Sequence, residues 1–522
     1  MKKLVLLLAL LLTLGLTSAQ TLVFGSRAFP ASLDAVDSQD GNSLVVSGQV
    51  TERLVDFAPG KTDLIPGLAT SWSANDDATV WTFELRQGVN FHDGTPFNAE
   101  AAKFNLDRWN DPNHPYSGRA EGKTFVPWGW VFGGPVGDGN LIESVAATGD
   151  YEIQLTLTQP APFLPALFAA VYFQFNSPTA VMAAGVNYGT PNVGSVGTGP
   201  FKFVEWIEGE RIVLERNDDY WGGPAGVERL VFRGIEQPTA RLAELQAGTI
   251  DIAVNLTSDD LATVQNDPNL KAAIADTELN VGYVSMHQAN APFDNVLVRR
   301  AVAYAIDRDA IVSAFYEGLG VVAQDHLPPV LFGHGEDWPY EYNPEKAKEL
   351  LAEAGFPNGF TTQYWYMPVS RPYFPAPQPI AETIASYLAD VGITAELMTE
   401  DWATYLADYQ TGKFPMYMIG WNADYADPDN FLRTFFGPSS LTDQGWDSPE
   451  TRALIQEASQ IADQDRRAEL YAQVVNTVAD QAISIPMAHN RSLNATRVGI
   501  EGWIASPLGF SSVSLHSVTK AQ

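Results

Sequence analysis

Asn422, Asp424, Asp427 and Asp429 set several side-chain oxygens close together, directly after the apolar run Met416-Tyr417-Met418-Ile419-Gly420-Trp421. Alternating oxygens of this kind could hold calcium. A calcium loop, however, needs ligands at i, i+2 and i+4, a glycine at its sharp turn and a closing glutamate. This stretch has none of the three. What remains is the chemistry of a single carboxylate at the edge of a crevice, with Asp424 as the candidate. The alternative is turn formation, because Asp and Asn bond readily to nearby backbone in loops. That alternative fits Asp427 and Asp429, which flank Pro428, better than it fits Asp424.

Other reactive patterns are missing. The chain has no cysteine and no Gly-x-Ser-x-Gly elbow, and no two histidines stand at i, i+4, so neither a nucleophilic hydrolase nor a zinc enzyme is indicated. His92 sits beside the turn dipeptide Asp93-Gly94 without another ligand at metal spacing, which assigns it a structural role. No cofactor motif is present. The glycine cluster at 194–199 precedes a strand-like run instead of opening a helix, unlike a dinucleotide-binding fingerprint.

The elements that must position Asp424 follow from periodicity. Residues 416–420 read as a buried strand of a layered α/β domain, bounded by Gly420. In such sheets ligands sit beyond the carboxyl ends of the strands, which is where Asp424 falls. Residues 21–25 read as another strand. Arg27 follows in the loop at its carboxyl end, as a ligand contact or a surface cation. Alternating runs at 80–85 and 151–157 read as half-buried strands, and 201–206 with 211–216 as a hairpin. Helices are expected at 99–109 behind Asn98, from Thr239 to 247, at 296–306 behind Asp294, and from Asp307 to 315. Others are expected after Asn343-Pro344, at 379–391, and after Ser448-Pro449.

The partition this suggests is two α/β lobes. Residues 20–49, 176–277 and 489–522 would form the first, with an α+β subdomain (50–175) inserted in it, and 278–488 would form the second. Crossings near 278 and 488 would act as the hinge. A chain of 522 residues exceeds what one core usually serves.

Lys2 and Lys3, an apolar run at 4–12 and the small residues Thr17-Ser18-Ala19 read as a cleavable secretory leader, placing the mature chain in a periplasm-like space. Without cysteine there is no lipid anchor at the cleavage site and no disulfide. The formal charge of −31 becomes −33 once Lys2 and Lys3 are removed, a field that repels nucleic acid.

The stretches 83–108, 197–221, 293–311 and 342–359, together with Arg371-Pro372-Tyr373 and residues 420–431, resemble the extracytoplasmic solute-binding proteins of peptide-type ABC importers, most of all their dipeptide-binding branch. The resemblance implies a two-lobed periplasmic-binding-protein fold with hinge strands. It also implies a monomeric, non-enzymatic receptor that captures dipeptides or short oligopeptides and delivers them to a membrane permease. By motif, Asp424 would hold the ligand's α-ammonium and Arg371 its α-carboxylate. Backbone from Gly420 to Asn422 would pair with the ligand, and Trp421 and Tyr373 would line the pocket. Arg's planar fork suits a carboxylate, and a buried zwitterion needs both charges matched. Arg371 could instead be a structural arginine paired within its lobe. Other solutes of the family, namely oligosaccharides, glutathione and metal complexes, are the alternative ligands.

Overall fold

The computed structural model describes residues 20–134 and 139–521; the expected leader lies outside the described residues. A seven-stranded sheet orders Leu270–Ala273, Leu493–Arg497, Ile252–Leu256, Thr21–Ser26, Arg229–Gly234, Arg211–Arg216 and Phe201–Ile207. Thr21–Ser26 lies parallel to both of its neighbours. Its pleat sends Leu22 and Phe24, with Ile252 and Val254, into one apolar cluster, while Ala253, Leu493 and Ala495 enter another on the opposite face. Burial on both faces is why these strands read as near-continuous apolar runs.

A six-stranded sheet orders Gly320–Val322, Ser484–Asn490, Asn280–Met286, Met416–Asn422, Phe360–Trp365 and Ile393–Met398. Asn280–Met286 is buried at every position and pairs antiparallel with both neighbours. Helices cover this sheet and share the largest apolar cluster with it. A third sheet, Ala69–Ala74, Val80–Leu85, Glu152–Leu157 and Ile142–Gly149, is antiparallel and has its own aromatic-rich core around Trp109, Trp128, Phe168 and Phe173.

The chain passes between the two large sheets twice, from Ala273 to Asn280 and from Asn490 to Leu493. The passages lie side by side. Glu278 accepts hydrogen bonds from the Ser492 amide and hydroxyl, both 2.9 Å, and Asn280 exchanges bonds with the Asn490 backbone at 2.7 and 3.0 Å.

Several element boundaries differ from expectation. The Met416–Asn422 strand runs on through Gly420 to Asn422, because its partner Asn280–Met286 continues the ladder that far. The helix expected from Thr239 is Pro238–Ala247 and has no side-chain cap, since proline in the first turn gives up no needed N–H. Asn295, not Asp294, caps Val296–Ala305, and the helix expected from 379 starts at Pro377.

Candidate functional site

A cavity of about 250 Å³ opens between the two large sheets. Arg27, Gln39, Leu44, Tyr172 and Ser492 line it on one side, and Asn280, Arg371, Asn422 and Asp424 on the other. Four of the residues singled out from the sequence, Arg27, Arg371, Asn422 and Asp424, therefore meet at one place. No histidine or methionine is among its lining residues.

Asp424 reaches the cavity because Asn422 ends its strand and Ala423 N–H bonds back to Leu279 O at 2.7 Å, turning the chain. Asn430 fixes the turn, its Oδ1 accepting from Asp424 N–H and from Trp421 Nε1, each at 3.0 Å. The carboxylate itself accepts the Tyr172 hydroxyl at 3.0 Å and has no cation within 4.0 Å among the described residues. Burial lifts its pKa to about 6 against the opposing hydrogen bonds of Tyr172 and Asn430.

The two neighbouring aspartates differ. Asp427 is paired bidentately with Arg467 at 2.7 and 3.0 Å, and Asp429 with Arg433 at 2.8 and 3.2 Å. Each does more than form a turn, although Asp427 also accepts Asp429 N–H at 2.9 Å. Of the three carboxylates, only Asp424 is left for something else.

Arg371 stands on an irregular loop held down at each residue. Its N–H and C=O exchange bonds with Phe374 at 3.1 and 3.0 Å, Pro372 O accepts from Asn490 Nδ2 at 2.6 Å, and Tyr373 O accepts the Tyr316 hydroxyl at 2.9 Å. The Arg371 guanidinium lies 4.8 Å from the Trp402 ring centre and close to the Tyr373 hydroxyl, whose pKa is pushed up to about 12 by burial against that cation. Neither Arg371 nor Arg27 has a carboxylate within 4.0 Å among the described residues. Burial, then the neighbouring Arg371 charge, weakens the protonated form of Arg27.

Gly420, Trp421 and Tyr373 are not among the lining residues of this cavity. Tyr373 is buried, Gly420 supplies the space that its ring occupies, and Trp421 Nε1 is spent on Asn430. All three place the groups that do face the cavity. Sequence reasoning missed Tyr172 and Glu278. The apolar run around Tyr172 reads as core, and nothing local links it to an aspartate 252 residues away. Glu278, lifted to about 7 by burial, lies in a passage with no periodic signal.

Comparisons with known proteins bear on the family and the fold. Residues 63–443 match the bacterial extracellular solute-binding proteins, family 5. The chain is 36% identical to heme-binding protein A of Haemophilus influenzae, over 95% of its own length and 91% of that protein's. It is 35% identical to the dipeptide-binding protein of Escherichia coli, over 95% of each. The dipeptide-binding protein of Pseudoalteromonas sp. SM9913, solved in complex with Met-Leu, superposes with a TM-score of 0.83 at 28% identity, covering 96% of this chain and all of that one. HbpA2 of Haemophilus parasuis superposes at 0.85 and 33% identity, covering 96% of this chain and 100% of that one. Three of these relatives are named as binding proteins, and among the described residues no helix is long and apolar enough to cross a membrane. With two large α/β sheets joined by paired crossings and a charged cavity between them, the chain belongs to the bacterial extracellular solute-binding proteins of family 5.

Proposed function

We propose that this protein captures dipeptides and similarly short peptides between its two lobes and presents them to the membrane permease of an ABC importer. Asp424 carries the reading. It is a half-buried carboxylate opening on the cavity with no cation within 4.0 Å among the described residues, and Arg371, with no carboxylate within that distance among them, opens on the same cavity. Charges partly withdrawn from water in this way favour partners of opposite sign. A zwitterion supplies both at once, its α-ammonium to Asp424 and its α-carboxylate to the Arg371 fork. The dipeptide- and tripeptide-binding relatives support the same ligand class.

The paired passages at 273–280 and 490–493 are the hinge of this mechanism, and the bound peptide favours the closed arrangement by touching both lobes. The protein acts as a periplasmic monomer after leader removal and leaves the peptide intact. Calorimetry of the mature chain with Met-Leu, N-acetyl-Met-Leu and Met-Leu amide tests the reading. Free Met-Leu binds, and each blocked form loses about 2–5 kcal/mol. Undiminished binding of both blocked peptides overturns it.

A further inference from the structure

Two guanidiniums open on the cavity, where a simple zwitterion brings one carboxylate. Arg371 and Arg27 both open on it, from the two different lobes, and neither has an ion-pair partner within 4.0 Å among the described residues. The nearby carboxylates accept hydrogen bonds from neutral groups and contact neither guanidinium, although the Asp40 charge acts on Arg27 through space. Asp40 is taken up in capping its helix, accepting from Ser43 N–H, Ser43 Oγ and Ser38 Oγ at 2.9, 2.6 and 3.0 Å. Glu278 accepts from Ser492 twice and from Asn280 Nδ2. Of the two carboxylates lining the cavity, Asp424 accepts one hydrogen bond and Glu278 three, which leaves Asp424 the more open to a ligand's ammonium. One terminal carboxylate would answer one arginine and leave the other, half-buried, without a contact partner.

We propose that Arg27 and Arg371 together form a dicationic end of the site, selecting peptides that carry a second carboxylate on the C-terminal residue. This rests on the peptide reading given above and specifies its substrate class. Each guanidinium takes one carboxylate in its planar fork. The arrangement also bears on closure. Two like charges brought together from opposite lobes oppose closing, and a diacid placed between them turns that repulsion into two attractions. The closed state is thereby favoured only with the right guest.

The test is calorimetry of the mature protein with Ala-Glu and Ala-Gln, which differ by one charge at nearly equal size. Ala-Glu should bind about tenfold tighter or more. Arg27→Gln should weaken Ala-Glu more than Ala-Gln and collapse that ratio, and Arg27→Lys should keep part of it. Equal binding of the two peptides by the wild-type protein, or tighter Ala-Gln, overturns this inference while leaving the peptide reading standing. If neither peptide binds and neither does Met-Leu, both readings fall. The wild-type comparison decides the matter even should the Arg27 variants fold poorly.

Discussion

Gly282 and Gly420 face each other across the Asn280–Met286 and Met416–Asn422 strands and leave the notch in which Tyr373 sits. A Cβ on Gly282 would stand 2.6 Å from Tyr373 O, and one on Gly420 would press on the Tyr373 ring and on Val281 O. Neither glycine has a positive φ, so what they provide is space, not backbone freedom. The notch fixes the loop that carries Arg371 on the strand that leads to Asp424. Gly420→Ala should therefore lower stability by about 1–3 kcal/mol, as overpacking does. It should also weaken dipeptide binding by displacing Arg371. Thermal unfolding and calorimetry on the same variant check both, and unchanged binding would separate the notch from the site.

Asp424 and Asp427 should respond in opposite ways to truncation. Asp427→Ala strands the buried Arg467 guanidinium and should cost about 3–5 kcal/mol of stability, the scale for breaking a buried pair. Asp424→Asn removes a carboxylate whose pKa is raised on folding, to about 6 from an ordinary 3.8. Such a group penalises the folded state increasingly as pH rises across that interval. At pH 8 the empty Asp424→Asn protein should thus be as stable as wild type or more so, while dipeptide affinity falls by about 2–5 kcal/mol. Denaturation with and without Met-Leu distinguishes the two aspartates.

Glu278 ties the two passages between the sheets, and its carboxyl is held near 7 by burial against an ordinary 4.5, with the Ser492 hydrogen bonds opposing. The folded protein therefore holds this proton more tightly than the unfolded chain. The stability it represents is complete below about pH 4.5 and is lost as pH rises through 7. Glu278→Gln should match wild type near pH 4.5 and exceed it at pH 8, by on the order of 3 kcal/mol at most. Urea titrations at the two pH values measure the difference, and a gap that is the same at both would assign Glu278 no titrating role.

What could be read from the chain and what could not divide along physical lines. Strands buried on both faces announced themselves as apolar runs, and helix starts such as Asn98, Asn343-Pro344 and Ser448-Pro449 are local signals that the structure reproduces. The meeting of Arg371 with Asp424 came from motif likeness, not from spacing. Tyr172 on Asp424 and Ser492 on Glu278 join residues far apart in sequence, and no periodicity encodes such pairs. From sequence, Gly420 bounds the apolar run that reads as a strand. Its cross-strand partner Gly282 and the ring packed on it explain why the strand instead continues to Asn422.

The Tyr172 hydroxyl bridges the cleft to Asp424, and this makes affinity depend on pH in a definite direction. The ionised carboxylate is the form that accepts an ammonium, and its pKa in the empty site is about 6. Bound ammonium favours ionisation, so the complex holds this proton less tightly than the free protein does. Between about pH 7 and 5 a peptide's own termini keep their charges, the amine titrating near 8 and the carboxyl near 3.5. Dipeptide affinity should therefore be greatest near pH 7, decline above about 8 as the amine loses its proton, and fall towards tenfold per unit below about 6, with proton release on binding in that lower range. Glu278 lines the same cavity and also titrates there, so the measurement is repeated in Glu278→Gln, where the fall should persist. In Tyr172→Phe, a donor that stabilises the ionised form is gone, and the onset of the fall should move to higher pH. Calorimetry in buffers of different ionisation enthalpy counts the protons released. An affinity independent of pH from 7 to 5 in both proteins would mean that Asp424 does not hold the ammonium.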